Sequence, residues 1–222
     1  MTLPFKDSDI YMEGRNQAIK YIKENNLCSD HHDIYLFGVY SGVSSKLISN
    51  KLINDDISYH RIYGFDSFRG LPTEKLLVKK YEGHQKGAFN AMELFGTEDI
   101  QEIIQIILKE IGNEKFEIIQ GLFKEVLTPD LQKEKKFHPA SFIDIDVDLY
   151  RSTIDVFRFL FKYNLILPGT VIYFDDWGGV EEYTGGESLA WKHLVKDYSI
   201  KYDTVFSHRA DIHAQKVFVI KE

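Results

Sequence analysis

The chain has 222 residues, 44% of them hydrophobic and 14% aromatic, which is enough for one packed domain. Its formal charge is -7, with acids and bases interleaved and no basic block, so nucleic acid and anionic membranes find little to bind and a small-molecule partner is expected. A single cysteine, Cys28, excludes an internal disulfide, and no apolar run approaches the roughly 20 residues that span a bilayer.

In chain order, the polar N-terminus lacks the apolar core of a signal peptide, so a cytoplasmic location is expected. Within an N-terminal helical segment, 1–30, an amphipathic stretch from about Asp9 to Asn25 is expected to pack on the sheet or on a partner subunit, with a homodimer as the assembly considered. DIYLFG (33–38) reads as a strand, SSKLISNKLINDD (44–56) as a helix with Leu47, Ile48, Leu52 and Ile53 on one face, and YHRIYGF (59–65) as a second strand. Residues 72–96 are rich in charge and glycine without a sustained period, which in so long a connection marks a lid or binding loop. TEDIQEIIQIILKEIG (97–112) carries helix-end signals: a Thr97 cap, acids in the first turn and a final glycine.

KFEIIQ (115–120) and ASFIDI (140–145) are strand candidates separated by the charged stretch DLQKEKK. Ser152 followed by Asp155 resembles a capping box for a helix running to Tyr163. In LPGTVIYFDDWGG, Pro168 and Gly169 form a turn and TVIYF is a buried strand with Asp175 and Asp176 at its carboxyl end. ESLAWKHLVKDY (187–198) is a helix, and YDTVFS with KVFVIK forms a closing antiparallel pair. The alternation predicts a single α/β domain over 1–222, with a mostly parallel sheet and helices on both faces.

Ligands of such sheets sit at the carboxyl ends of strands near the point where strand order reverses. GVYSG, Gly38 to Gly42, follows the first strand there; its glycines let a ligand approach the backbone, and the helix behind it offers free N–H groups. A tight turn with no ligand explains the same two glycines about as well. Asp66 ends the second strand 28 positions beyond Gly38, where a carboxylate can accept both hydroxyls of a ribose; the alternative is a turn cap. DIDVDLY and DDW place Asp144, Asp146, Asp148, Asp175 and Asp176 at neighbouring strand ends, where mutual repulsion calls for a cation or a bound proton. Hard oxygen ligands of this kind suit Mg²⁺, Mn²⁺ or Ca²⁺. For Asp148 a helix cap is as good a reading as a metal ligand. The eight histidines show no zinc-like spacing, HHD at 31–33 reads as a solvated approach to the first strand, and His84 in the long loop is a candidate base.

GVYSG, FDSFRGLP, HQKGAF, QGLFKEVL, DIDVDLYRST and LPGTVIYFDDW, in this order from about Asp33 to Gly179, resemble the macrocin-type O-methyltransferases. The resemblance implies a class I methyltransferase (Rossmann-like) fold with a seven-stranded sheet whose last strand is antiparallel, and dependence on S-adenosylmethionine and Mg²⁺. It implies that the cofactor lies over Gly38, Val39, Tyr40, Ser41, Gly42 and Ser44, with Asp66 at its ribose and Ser67, Phe68, Gly121 and Asp144 around it. It implies metal ligation by Asp146, Asp175 and Asp176, catalysis involving Asp146 with His84 or an aspartate as base, and a sugar hydroxyl of a glycosylated small molecule as acceptor. The sequence departs from the family at Leu36, where an acid commonly helps to hold the cofactor. Two other classes compete: a metal-dependent glycosyltransferase, from the short acid-x-acid pattern in DVD, and a non-catalytic binding protein, from Leu36.

Overall fold

The computed structural model describes residues 9–74, 85–178, 185–209 and 214–222. The strands are β1 (Asp33–Phe37), β2 (Arg61–Asp66), β3 (Phe116–Gln120), β4 (Ala140–Ile145), β5 (Val171–Phe174), β6 (Tyr202–Arg209) and β7 (Ala214–Ile220). The longer helices are α1 (Asp9–Glu24), α2 (Val43–Asn54), α4 (Ile100–Ile111), α7 (Tyr150–Lys162) and α8 (Gly186–Tyr198). Short helical pieces α3 (Ala91–Phe95), α5 (Phe123–Val126) and α6 (Pro129–Lys135) lie between them.

One seven-stranded sheet has the order β3-β2-β1-β4-β5-β7-β6. The first five strands in that order are parallel, and β7 runs antiparallel to both β5 and β6. The chain moves outward from β1 to β3 and then returns to the other side of β1 at β4, which makes the β1/β4 seam the topological switch point.

Strand alternation divides the core into two layers. Ile34, Leu36, Ile62, Phe142, Val171, Tyr173, Val217 and Val219 face α1, α2 and α4. Tyr35, Phe37, Phe65, Ile143, Ile145, Ile172, Phe174 and Phe218 face α7 and α8. Leu36 is 1% exposed in the first layer, so the position where the family commonly has an acid here carries core packing. Helix α1 docks on the sheet through a stripe of Met12, Ala18, Ile19 and Ile22, which settles its packing partner as the sheet.

Several boundaries differ from the sequence reading for identifiable reasons. Asp99, not Thr97, caps α4, because its carboxylate accepts from the Gln101 and Glu102 N–H groups while the Thr97 hydroxyl bonds to Glu102. Helix α7 begins at Tyr150, so Ser152 is a buried residue inside it and no capping box forms; Asp155 pairs with Arg151 instead. The charged stretch DLQKEKK is largely helical, α6, capped by Thr128 with Pro129 in its first turn. Ile53 is exposed, unlike Ile48 and Leu52 on the same helix. Part of the long loop 72–96 is ordered as α3, and its stretch from 75 to 84 lies outside the described residues. Among the described residues no helix is long and apolar enough to cross a membrane.

Candidate active site

The carboxyl ends of β1, β2, β4 and β5 deliver Gly38, Asp66, Asp146 and Asp175 to one edge of the sheet. The ladder continues just past the strands: the Gly38 N–H donates to Phe65 O, the Asp146 N–H to Phe37 O and the Asp175 N–H to Ile145 O, at 2.9–3.0 Å. These bonds fix the backbone under each functional side chain.

At the turn after β1, Asp66 organises the backbone. Its Oδ2 accepts from the Val39 and Tyr40 N–H groups at 2.8 Å each, and its Oδ1 accepts from the Phe68 N–H at 2.7 Å. A carboxylate has about four acceptor sites, and these backbone bonds take three of them. Burial pushes the Asp66 pKa up, and the backbone N–H bonds oppose that shift. Tyr40 and Phe68 both hold left-handed backbone, at φ 46° and 59°.

The two glycines serve the protein's own packing. Gly38 has φ 96°, and a Cβ there would collide with the Asp146 carbonyl oxygen; a Cβ on Gly42 would meet the Ile107 side chain. Val39 and Phe68 are buried in the core, so only their backbone can meet a ligand. Ser41 is buried, Ser44 lies half-buried in the first turn of α2, and Ser67 accepts from the Arg69 N–H. Gly121 follows β3 and donates its N–H to Asp66 O at 2.8 Å. Beside the turn, Tyr40 borders a cleft of about 570 Å³ lined also by Gln85, Gly87, Phe89, Asn90 and Leu94, within the size range of small-ligand sites.

Across the switch point, Asp146, Asp175 and Asp176 each present a carboxylate oxygen within 4.8 Å of the others. Their all-oxygen donor set fits a hard divalent ion. Arg15 of α1, whose side chain is 2% exposed, reaches into this cluster. It grips Asp144 with two bonds, Nε to Oδ2 at 2.7 Å and Nη2 to Oδ1 at 3.2 Å. Nη2 also donates to Asp146 Oδ2 at 2.8 Å and Nη1 to Asp175 Oδ1 at 3.1 Å. The guanidinium lies 4.6 Å from the Tyr173 ring centre, and the Tyr173 hydroxyl donates to Asp175. Gly14 permits the approach, since a Cβ there would overlap the Tyr173 ring. Burial alone would lower the Arg15 pKa, but Asp144, Tyr173, Asp175 and Asp146 together hold it well above its ordinary value.

Glu187, in the first turn of α8, is fully buried and ties the two acidic loops together. Its Oε1 accepts from the Val147 and Asp148 N–H groups at 2.9 and 3.1 Å, and its Oε2 from the Asp176 N–H at 3.1 Å. Burial, then the Asp176 charge, pushes the Glu187 pKa well above the carboxylate range. Asp146 is pushed well up in the same way, by burial first and Asp175 second, with Arg15 pulling the other way. For Asp144, burial outweighs the attraction of Arg15, so its pKa is also raised.

The structure therefore brings Asp146, Asp175 and Asp176 together and places Asp144 beneath them as the anchor of Arg15. Asp148 has left-handed backbone at φ 59° and precedes Leu149, which holds the cap position of α7, so Asp148 is not the helix's capping residue. His84 lies outside the described residues. Sequence reasoning missed Arg15, Glu187, Tyr173 and Gln215, the last accepting from the Gly14 N–H and donating to Asp175 at 3.3 Å. A signal was present for two of them: Arg15 falls on the Met12–Ala18–Ile19–Ile22 stripe, and Glu187 on the Ala190–Trp191–Leu194 stripe. A charged residue on an apolar stripe needs a buried partner.

Known proteins share this arrangement at the level of fold. The structure of CalS11, a calicheamicin methyltransferase, superposes with a TM-score of 0.67 at 16% identity, covering 92% of this chain and 78% of that one. The O-methyltransferase NovP gives a TM-score of 0.65 at 19% identity, covering 94% and 79%. An apo structure of CalS11, described as a TDP-rhamnose 3'-O-methyltransferase, gives 0.56 at 16% identity, covering 92% and 78%. No curated protein sequence matches this chain significantly. The profile of the macrocin-O-methyltransferase (TylF) family matches residues 11–198, spanning α1, the glycine turn, the acidic cluster and α8, and the chain belongs to that family of O-methyltransferases.

Proposed function

We propose that the chain moves the methyl group of S-adenosylmethionine to a hydroxyl of a sugar or glycosylated small molecule, with Mg²⁺ held by Asp146, Asp175 and Asp176. The observation that carries this reading is the convergence of those three carboxylates within 4.8 Å at the switch point, beside the Asp66-braced turn. One guanidinium set against Asp144, Asp146 and Asp175, with Asp176 and buried Glu187 adjoining, leaves a surplus of acid that a dication would balance. CalS11, a calicheamicin methyltransferase described also as a TDP-rhamnose 3'-O-methyltransferase, supports a sugar of a natural product as the acceptor class, and NovP supports O-methylation.

When bound, Mg²⁺ supplies positive charge that lowers the pKa of an acceptor hydroxyl, and S-adenosylmethionine supplies an already activated methyl group. The chain's own work is alignment. Asp66 holds the turn at Val39 and Tyr40 so that the donor's ribose meets a fixed backbone, with one acceptor site on the carboxylate to spare. Arg15 and Glu187 hold the acidic loops in register, so the metal acids are set before any ligand arrives. Asp146, one-third exposed and with only Oδ2 engaged by Arg15, is the carboxylate placed to take the hydroxyl proton. His84 is the alternative base.

Calorimetry separates this reading from its rivals. S-adenosylmethionine is expected to bind with or without Mg²⁺, and a nucleotide sugar to bind more tightly once Mg²⁺ is present. A nucleotide sugar that binds tightly while S-adenosylmethionine fails to bind would support the glycosyltransferase instead.

A further inference from the structure

We infer that the opposite end of the sheet carries a second metal site, built from Asp33, His60 and His138 and suited to Zn²⁺ or a similar transition-metal ion. Asp33 opens β1, His60 immediately precedes β2, and His138 lies two residues before β4. Because β2, β1 and β4 are adjacent, the three residues meet at the amino edge of the sheet, away from Gly38, Asp66 and Asp146 at its carboxyl edge. The sequence reading of HHD as a solvated approach holds for exposed His31 but fails for Asp33, which is fully buried.

The site is braced like a metal centre. Asp33 Oδ2 accepts from the His138 N–H at 2.7 Å, and the single Tyr35 hydroxyl proton is shared between His138 O at 2.5 Å and Asp33 Oδ2 at 3.2 Å. The His60 N–H donates to His32 O and the Asp33 N–H to Pro139 O, so the three strand entries are tied to one another through backbone. Outer partners that orient a ligating carboxylate in this way accompany most metal sites.

The donors are close to one another. His60 Nδ1 lies 2.8 Å from Asp33 Oδ1, and the two imidazoles lie side by side, stacked with centroids 4.1 Å apart and planes 25° apart. One donor atom from each of the three residues lies within 4.8 Å of the others. Ligand bonds of about 2.0–2.1 Å put the donors of a tetrahedral zinc roughly 3.4 Å apart, so an ion would draw the three side chains inward and turn the stacked rings toward it. His138 Nδ1 is buried and finds no hydrogen-bond partner among the described residues, a cost that an ion would remove. The His60 side chain is 37% exposed, which gives an entry path and leaves a coordination position for water.

The chemistry distinguishes the two ends of the sheet. Two imidazole nitrogens and one carboxylate favour Zn²⁺, Co²⁺ or Ni²⁺, whereas the all-oxygen cluster of Asp146, Asp175 and Asp176 favours Mg²⁺. The ion at the amino edge would clip three strand entries together and touch no part of the methyl-transfer site.

Calorimetric titration of the whole chain with Zn²⁺, in saturating Mg²⁺, tests the assignment. One Zn²⁺ per chain is expected, with affinity weakened at least roughly 10-fold by His138→Gln and by His60→Gln, the scale typical of losing even an outer partner. Asp175→Asn should retain that binding. Addition of Co²⁺ to the unaltered chain should give visible d–d absorption that Zn²⁺ displaces, a readout that does not depend on how either variant folds. Absence of both Zn²⁺ binding and the Co²⁺ spectrum would overturn the assignment. So would Zn²⁺ binding that survives both histidine variants or is lost in Asp175→Asn.

Discussion

The Asp144 carboxylate is almost wholly enclosed, and Arg15 is the cation that grips it with two bonds. Burial of either charge by itself costs several kcal/mol, and removal of one partner of such a pair typically destabilises by about 3–5 kcal/mol. Arg15→Met should therefore lower the urea midpoint by an amount equivalent to about 3–5 kcal/mol, although methionine fills much of the same space. Unchanged stability in that variant would mean that Asp144 is stabilised by other groups. The same residues predict a pH dependence. Burial holds Asp146 and Glu187 well above the ordinary carboxylate range, aided by Asp175 and Asp176 respectively. The folded chain thus retains protons that the unfolded chain releases above about pH 4, so these two groups favour folding at low pH and lose that contribution as pH rises through their raised values. In chelator the thermal midpoint should fall between pH 5 and pH 8, and added Mg²⁺ should raise it more at pH 8, where ion and proton compete less. A Mg²⁺ effect that shrinks with rising pH would contradict the coupling.

Among the elements, the strands were legible because β1, β4 and β5 are short apolar runs buried on both faces, and α4 because its isoleucines recur at helical spacing. Helix starts were less so. Thr97, Asp99 and Ser152 are all competent caps in sequence, and the choice among them depends on where the preceding strand or turn releases the chain. The glycine turn was legible in place, whereas its close packing was not, since the space at Gly38 is occupied by the Asp146 carbonyl of β4's outgoing loop, more than 100 residues downstream. Gly38→Ala should consequently cost more than about 1 kcal/mol, combining strain at positive φ with displacement of the Asp146 backbone, and should weaken Mg²⁺ binding in calorimetry. A variant with native stability and Mg²⁺ affinity would show that the β4 loop yields without consequence.

For the whole molecule, topology does what local pattern cannot. The acids of DIDVDLY and DDW could be assigned to one site from their positions at strand ends, but Arg15 and Asp144 are 129 residues apart in sequence, and no local rule pairs them. Glu187 reaches Val147 across 40 residues for the same reason. The histidines defeated sequence reading more completely, because His60 and His138 meet Asp33 only when parallel strands place three distant strand entries side by side. The fold thus gives one sheet two chemically different ends, an oxygen-rich carboxyl edge at the switch point and a nitrogen-bearing amino edge. The most direct test of the central claim is transfer of a labelled methyl group from S-adenosylmethionine to a panel of nucleotide-linked and glycosylated sugars. We predict label on a sugar hydroxyl in Mg²⁺, its loss in chelator, and a fall of about 100-fold or more in Asp175→Asn with its circular dichroism unchanged. Transfer that continues undiminished in chelator and in Asp175→Asn would contradict the account.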